Sequence, residues 1–577
     1  MEVTRSDDRF AMLPWERLRD KTVTVDGKPY AAYKGLEGAY RFERFVLYID
    51  EVIVEPPGVP SPIRVRVDQA EARFPKDLWS SPVRKSALED FIARRWLDGA
   101  RRVGRSRGGR GGVGIEAGGQ QMLPRTACRL AEDYVEVRAQ IVLPTEGRKA
   151  IAKALAALLL EDLAQIVEGA LLYAGLNPQN AQRHVEVAED AAALRAQLVE
   201  RGLVTFVGDG AVLPREGDSE RPLLSHLVTF QSPEELRVTL RAPHRGEISG
   251  LGIPRGVTVV LGSAFSGRST LLRAIASGVY NHLPGDGREY CVTLPDAVMV
   301  QVDPGRRVEG VNLTPFITTL PGGEDPTRYR GEHVSALVAQ AASISETLEA
   351  GTSLLLVDED TSAPRLLARD VMWRHLAPEA KDPVTPLADL IRPLYAEHGV
   401  SCIIVAATGS SLPGVADTVM AMDAFRPSVV TSRAKQIAGE WPAVRVAESR
   451  GFGGIHHRIP LGDSLGFLRG RKFRPDAPSA RSLTLSRELI DLRMVPSLVD
   501  AGQTRAIGAA LIYAVERGYF DGTRTLREVL SLLEADLASG GLDALSVHEF
   551  PTGEYAMPRR QEIAAALNRL RTLRVKA

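Results

Sequence analysis

The stretch VTVVLGSAFSGRSTLL, residues 257–272, decides how this chain is read. Val257, Val259, Val260 and Leu261 have the β-branched, apolar composition of a strand buried on both faces. Gly262 and Gly267 bracket Ser263, Ala264, Phe265 and Ser266, and Arg268, Ser269 and Thr270 open an apolar helix. Strand, glycine turn and helix thus follow one another at the spacing of a phosphate-binding loop, G-x-x-x-x-G-K-[ST]. In such a loop the glycines let backbone N–H groups approach phosphate oxygens, and the new helix N-terminus adds partial positive charge. Ser269 is placed as the hydroxyl ligand of Mg²⁺, and Arg268 stands where lysine is usual. Alone, the pattern also reads as a plain strand-to-helix turn, so its weight depends on the motifs that follow.

At 577 residues the chain exceeds what one core supports, and several domains are expected. The formal net charge is zero, so no global field favours a polyanion. Cys128, Cys291 and Cys402 show no C-x-x-C spacing and read as reduced, buried thiols of a cytosolic protein. The opening MEVTRSDDRF has no apolar core of the kind a signal peptide needs. The most apolar stretch, residues 151–172, carries Lys153, Glu161, Asp162 and Glu168, which favours a long soluble helix over a membrane span. The expectation is a soluble, cytoplasmic chain with no membrane partner.

About ninety residues after the glycine turn comes LLLVDE, residues 354–359. Apolar residues ending in two acids describe a buried strand that delivers carboxylates to the edge where open α/β sheets bind ligands. Asp358 takes the Walker-B role toward Mg²⁺, and Glu359 is placed to polarise an attacking water. A further buried strand, residues 402–407, ends at Thr408-Gly409-Ser410. Gln301 and Asp303, after the strand at 298–300, read as second candidates beside the site or as loop polarity. No aromatic upstream of the loop stands out as a ring to stack on adenine.

Residues 1–165 read as an α+β domain, with strands at 45–49, 52–54, a half-buried 63–67 and 134–138. Ser86 and Glu89 form a capping-box pattern before a helix through Phe91, Ile92 and Trp96. RRVGRSRGGRGGVGIEAGG, residues 101–119, concentrates Arg101, Arg102, Arg105, Arg107 and Arg110 among glycines. It reads equally as a flexible loop on a phosphodiester backbone, such as RNA, or as a solvated hairpin loop. A helix around 185–198 leads into the next domain. Glycines and prolines between 450 and 480 suggest a linker, and His456-His457 lie there without acids or cysteines at metal-ligand spacing. Beyond it, Thr525 and Glu528 form a capping box before Leu526, Val529, Leu530, Leu533 and Leu537 at helical spacing. Arg569, Arg571 and Arg574 read as a solvated face or as a nucleic-acid contact.

The run LLLVDEDTSAPR, with PYAAYKGLEGAYRFERFVLYID, HVEVAEDAAALRAQLVERGLVTFVGDGAVLPR, GVYNHLPGDGREY, VEGVNLTPFITTLP and LVDAGQTRAIGAAL, resembles the predicted ATPases of the ABC class over nearly the whole chain. The resemblance implies an α/β fold: an ABC-type P-loop NTPase core, residues 166–455, between the α+β N-terminal domain and a small, mainly helical C-terminal domain, residues 470–577. It implies ATP and Mg²⁺ as ligands on Gly262 to Thr270. It places Asp360, Thr361 and Ser362 on the D-loop and Ser335-Ala336 at the start of the signature helix. That helix faces the ATP of a second copy in a homodimer. One branch of the family is tied to RNA processing. The chain departs from the pattern at Arg268, for lysine, at Ala336, for glycine, and at residues 408–410, which lack a switch histidine. These departures leave two readings: an ATP-hydrolysing enzyme, or a degenerate, ATP-gated nucleic-acid-binding or scaffold protein with little turnover.

Overall fold

The computed structural model describes residues 9–106, 111–217, 219–225, 227–368, 382–407, 411–440, 451–469 and 474–576. By contacts the chain forms two units, Met1–Ala188 with Ser539–Met557, and Glu189–Ala538 with Pro558–Ala577.

The second unit is built on a six-stranded sheet. Its order is Val298–Val300, Leu354–Asp358, Ser401–Ala406, Val257–Gly262, Thr418–Asp423 and Arg426–Val429, all parallel except the last. Leu354–Asp358 and Ser401–Ala406 are buried throughout, as strands covered on both faces must be. Val257, Val259, Leu355, Val357, Cys402 and Ile404 share one core with Val338, Ala339 and Ile344 of the helix Ala336–Glu349 and with Leu390 and Leu394 of Leu387–His398. Burial pushes the Cys402 thiol up to about 12, so this cysteine is an inert part of the core. A four-stranded antiparallel sheet, ordered Arg237–Ala242, Gly246–Pro254, Leu203–Gly208 and Cys291–Thr293, belongs to the same unit.

Among its described residues, the expected linker at 450–480 is anchored in packed structure at two points. Phe452 is buried in that core, and Arg458 is buried between Glu349, 2.8 Å from its Nε, and Asn568, 2.8 Å from its Nη2. Spacing alone could not show that a glycine-rich segment inserts one ring and one guanidinium. The capping box at Thr525 and Glu528 is present at the start of Leu526–Gly540, with Thr525 N–H 2.8 Å from Glu528 Oε2. Of the tail arginines, Arg571 and Arg574 are exposed, as a solvated face requires, and Arg569 is not. Arg569 is largely buried and ion-paired to Asp303 at 3.0 Å, and Arg574 pairs with Asp463 at 2.9 Å. A meander of Asp476–Ser479, Ser482–Leu485 and Glu488–Asp491 joins the helices Ala501–Glu516, Leu526–Gly540 and Arg560–Arg569.

The first unit centres on a mixed sheet ordered Met12–Pro14, Gly38–Arg41, Val46–Ile49, Ser61–Asp68, Tyr134–Val142 and Gly112–Gly114, with Cys128–Leu130 also on Tyr134–Val142. Residues 52–54 are not a strand. Ser61–Asp68 is buried on both faces rather than one, because Arg64 pairs with Asp50 at 2.8 Å and Arg66 with Glu136 at 2.7 Å. The helix expected from the Ser86 box begins earlier, at Pro82, where Ser81 Oγ accepts from Arg84 N–H at 3.3 Å. Glu89 accepts instead from Leu130 N–H, 2.8 Å away. The same helix, Pro82–Ser106, runs through Arg101 and Arg102, so the start of the expected loop is helical. Arg107 and Arg110 lie outside the described residues.

Candidate nucleotide site

Parallel strands end together, and three of them carry the predicted residues to one edge. Gly262 closes Val257–Gly262, Asp358 closes Leu354–Asp358, and Ser401–Ala406 runs between them. Asp358 is level with Val405, and Leu261 with Ala406. Two strand spacings, about 10 Å, therefore separate Asp358 from the head of the glycine turn.

The turn is a cradle that side chains would fill. A Cβ on Gly262 would lie 2.6 Å from Ser266 Oγ and 2.7 Å from the Met422 carbonyl oxygen. Gly267 has φ +100°, and no side chain caps the helix Arg268–Ser277 that follows it. The first amides of that helix have no intrahelical partner and face an anion by default. Ser263, Ala264 and Phe265 are exposed, whereas Ser269 and Thr270 are half-buried. Ser266 Oγ is buried without a hydrogen-bond partner.

Arg268 is the informative residue. Its side chain folds back over the turn, with Cδ 3.2 Å from where a Gly262 Cβ would sit, and the residue is only 6 % exposed. Among the described residues no hydrogen bond or ion pair holds its guanidinium. The guanidinium is thus a cation without a counter-charge beside the turn, and the neighbouring hydroxyl of Ser266 is a buried polar group with no partner among the described residues. Cradle, amides and guanidinium fit a polyphosphate. Ser269 and Asp358 are the residues that would hold the accompanying Mg²⁺.

Asp358 is buried, and its Oδ1 accepts from Asp360 N–H at 3.2 Å. Its carbonyl oxygen accepts from Ser362 Oγ at 2.7 Å and Thr361 Oγ1 at 3.4 Å, which curls residues 359–361 into a tight turn. Glu359 points at the central strand, where its Oε2 accepts from Ala407 N–H. Ser335 caps the helix Ala336–Glu349, its Oγ 3.4 Å from Val338 N–H, and is exposed. No described hydrogen bond joins Ser335 or Ala336 to the phosphate loop. Asp303 is engaged by Arg569, and residues 408–410 lie outside the described residues.

Three family models match consecutive parts of the chain: the ABC-class ATPase N-terminal model at residues 15–174, the ABC ATPase P-loop domain at 177–458, and the MRB1590 C-terminal domain at 475–576. The chain belongs to the ABC-class ATPase family. Among relatives of this ABC-class ATPase, the uncharacterised protein MJ1628 of Methanocaldococcus jannaschii is 28 % identical over 229 residues, 38 % of this chain. The match spans 50 % of that relative's length. Two solved ABC transporter proteins also align. One is cbiO1 of Clostridium perfringens, part of the complex cbiONQ, at 16 % identity over 41 % of this chain and 92 % of that one, with a TM-score of 0.25. The other is the ATP-binding cassette MJ1267 in its ADP conformation, at 13 % identity over 42 % and 96 %, also with a TM-score of 0.25. The fold assignment rests on the family models and the strand order. No helix among the described residues is long and apolar enough to cross a membrane.

Two residues of this ABC-class ATPase escaped the sequence reading. Gln340 is buried, donates from Nε2 to Ser362 Oγ at 2.9 Å and accepts from Ala363 N–H at 2.7 Å, so it ties the helix Ala336–Glu349 to the turn after Asp358. An amide inside the apolar run ALVAQAASI was the available signal, because a buried amide needs partners. Phe425 donates its N–H to the Ser266 carbonyl at 3.1 Å and so braces the phosphate loop.

Proposed function

We propose that this chain binds Mg²⁺–ATP on residues 262–270 and hydrolyses it, using nucleotide binding to drive a conformational change. The observation that carries this reading is the guanidinium of Arg268, without a counter-charge among the described residues, folded over a glycine cradle beside the buried, unpartnered hydroxyl of Ser266. Phosphoryl transfer to water depends on positioning and charge neutralisation. Backbone amides of 263–270 orient the phosphates, and Arg268 neutralises them in place of lysine. Arginine is planar and forks its hydrogen bonds, so it spans two oxygens where lysine offers a point charge. Bound Mg²⁺ supplies further charge neutralisation. Glu359 aligns the water and takes its proton once its carboxylate leaves the Ala407 amide. The exposed Ser335 at its helix N-terminus supports a second copy of the chain as partner across the nucleotide. Arg101 and Arg102, exposed at the end of Pro82–Ser106, support RNA as cargo. The three buried free cysteines support a cytoplasmic setting.

The second reading, an ATP-gated scaffold with little turnover, is favoured by the contact that occupies Glu359. Turnover measured beside ATP binding separates the two. On the leading reading the native chain turns over, and Glu359→Gln binds ATP but loses at least about a hundredfold in kcat. Binding without turnover, restored by Arg268→Lys, supports the scaffold. Turnover unaltered in Glu359→Gln contradicts the role given to that carboxylate. For RNA, the expected result is salt-sensitive affinity lost on removing residues 103–114.

A further inference from the structure

We propose that Phe425 is the platform on which the base of the bound nucleoside triphosphate stacks, a proposal that rests on reading residues 262–270 as the phosphate loop. Thr418–Asp423 and Arg426–Val429 form a hairpin whose last ladder pair is Asp423 with Arg426, leaving Ala424 and Phe425 as the turn. Both have positive φ, 43° and 67°. A two-residue turn of this kind favours Asn-Gly or Asp-Gly, and a bulky side chain there is strained. Among the described residues the other positive-φ side chains are Arg73, Phe265 and Ser486, and Phe265 lies in the phosphate loop itself. Three of five such positions therefore fall on the loop or on the turn braced against it, and strain gathered in one place marks a functional constraint.

The hairpin tip is held firmly. Phe425 N–H bonds the Ser266 carbonyl at 3.1 Å, Arg426 Nη1 bonds Gln231 Oε1 at 2.5 Å, and the Phe425 ring edge lies 3.0 Å from where a Gly267 Cβ would sit. Despite these anchors the ring is 51 % exposed. Glycine at this position would remove the strain and expose less apolar surface to water. A half-exposed phenylalanine beside a site for polyphosphate offers an aromatic ring to the nucleoside attached to those phosphates. Phe265 is 96 % exposed at the loop's apex and has no comparable anchor. Stacking on an aromatic side chain reads the face of a base rather than its edge.

The test is equilibrium binding of ATP and of inorganic tripolyphosphate, with Mg²⁺, to the full chain and to Phe425→Ala, Phe425→Gly and Phe425→Trp. Phe425→Ala and Phe425→Gly should weaken ATP about tenfold and leave tripolyphosphate within about twofold, while Phe425→Trp keeps ATP affinity. Native-like ATP affinity in Phe425→Ala, or equal loss of both ligands, overturns the stacking role and leaves the phosphate loop standing. A native chain that binds neither ligand overturns the phosphate-loop reading and this proposal with it.

Discussion

Arg268 is a cation without a counter-charge set over the glycine turn, free to meet an anion there. Its guanidinium keeps contact with water and has no counter-charge among the described residues, so replacing it with an apolar side chain of similar length should cost the empty protein little. Arg268→Met is expected to change the stability of the nucleotide-free chain by less than about 1 kcal/mol and to abolish the further stabilisation that ATP confers. Thermal unfolding with and without Mg²⁺–ATP reads both effects. A variant less stable than native when empty would show that Arg268 serves packing. Ser266 is its companion at this scale, because a buried hydroxyl with no partner also waits for an acceptor.

At the scale of elements, the turn after Asp358 is held both by its own strand and by the helix Ala336–Glu349. Gln340 makes two bonds, to Ser362 Oγ and from Ala363 N–H. Gln340→Ala leaves the Ala363 amide unpaired at a cost of about 1–3 kcal/mol. Hydrogen exchange should then speed up at residues 359–363 and not in Val257–Gly262; unchanged protection there would remove the tether. This is also where the sequence was most and least legible. Buried strands, the glycine turn and the two acids were readable because their signals are local: apolar runs, φ-permissive residues and charge at a strand end. Burial of polar side chains was not, because Arg64, Arg458 and Arg569 go inside only when Asp50, Glu349 and Asp303 meet them from distant segments. The Ser86 box failed for a related reason. Glu89 lies on the side of its helix that faces Leu130, a pairing that spacing within the helix cannot show.

Across the whole molecule, acidity should act on the first unit through opposed carboxylates. At Glu136 burial works against the charge, but the guanidiniums of Arg138, Arg64 and Arg66 outweigh it and hold the carboxyl at about 2. This group contributes stability above its ordinary value, near 4.5, that is lost as pH falls toward 2. At Glu89 burial wins over the Leu130 amide and Lys85 and lifts the carboxyl to about 7. Its contribution is complete below 4.5 and is lost as pH rises through 7. Glu89→Gln keeps an acceptor for Leu130 and cannot ionise, so it should gain on the native chain by roughly 1–3 kcal/mol between pH 5 and pH 8.5. Denaturant midpoints at the two pH values read this, and a pH-independent difference would contradict it. In the second unit the central claim is that residues 262–270 grip a triphosphate through backbone amides and Arg268. Equilibrium titration of labelled ATP, with Mg²⁺, into the native chain and Arg268→Ala tests it most directly. The account predicts saturable binding by the native chain, weakened at least about tenfold in the variant. Equal affinity in both, or no binding by the native chain, would contradict it.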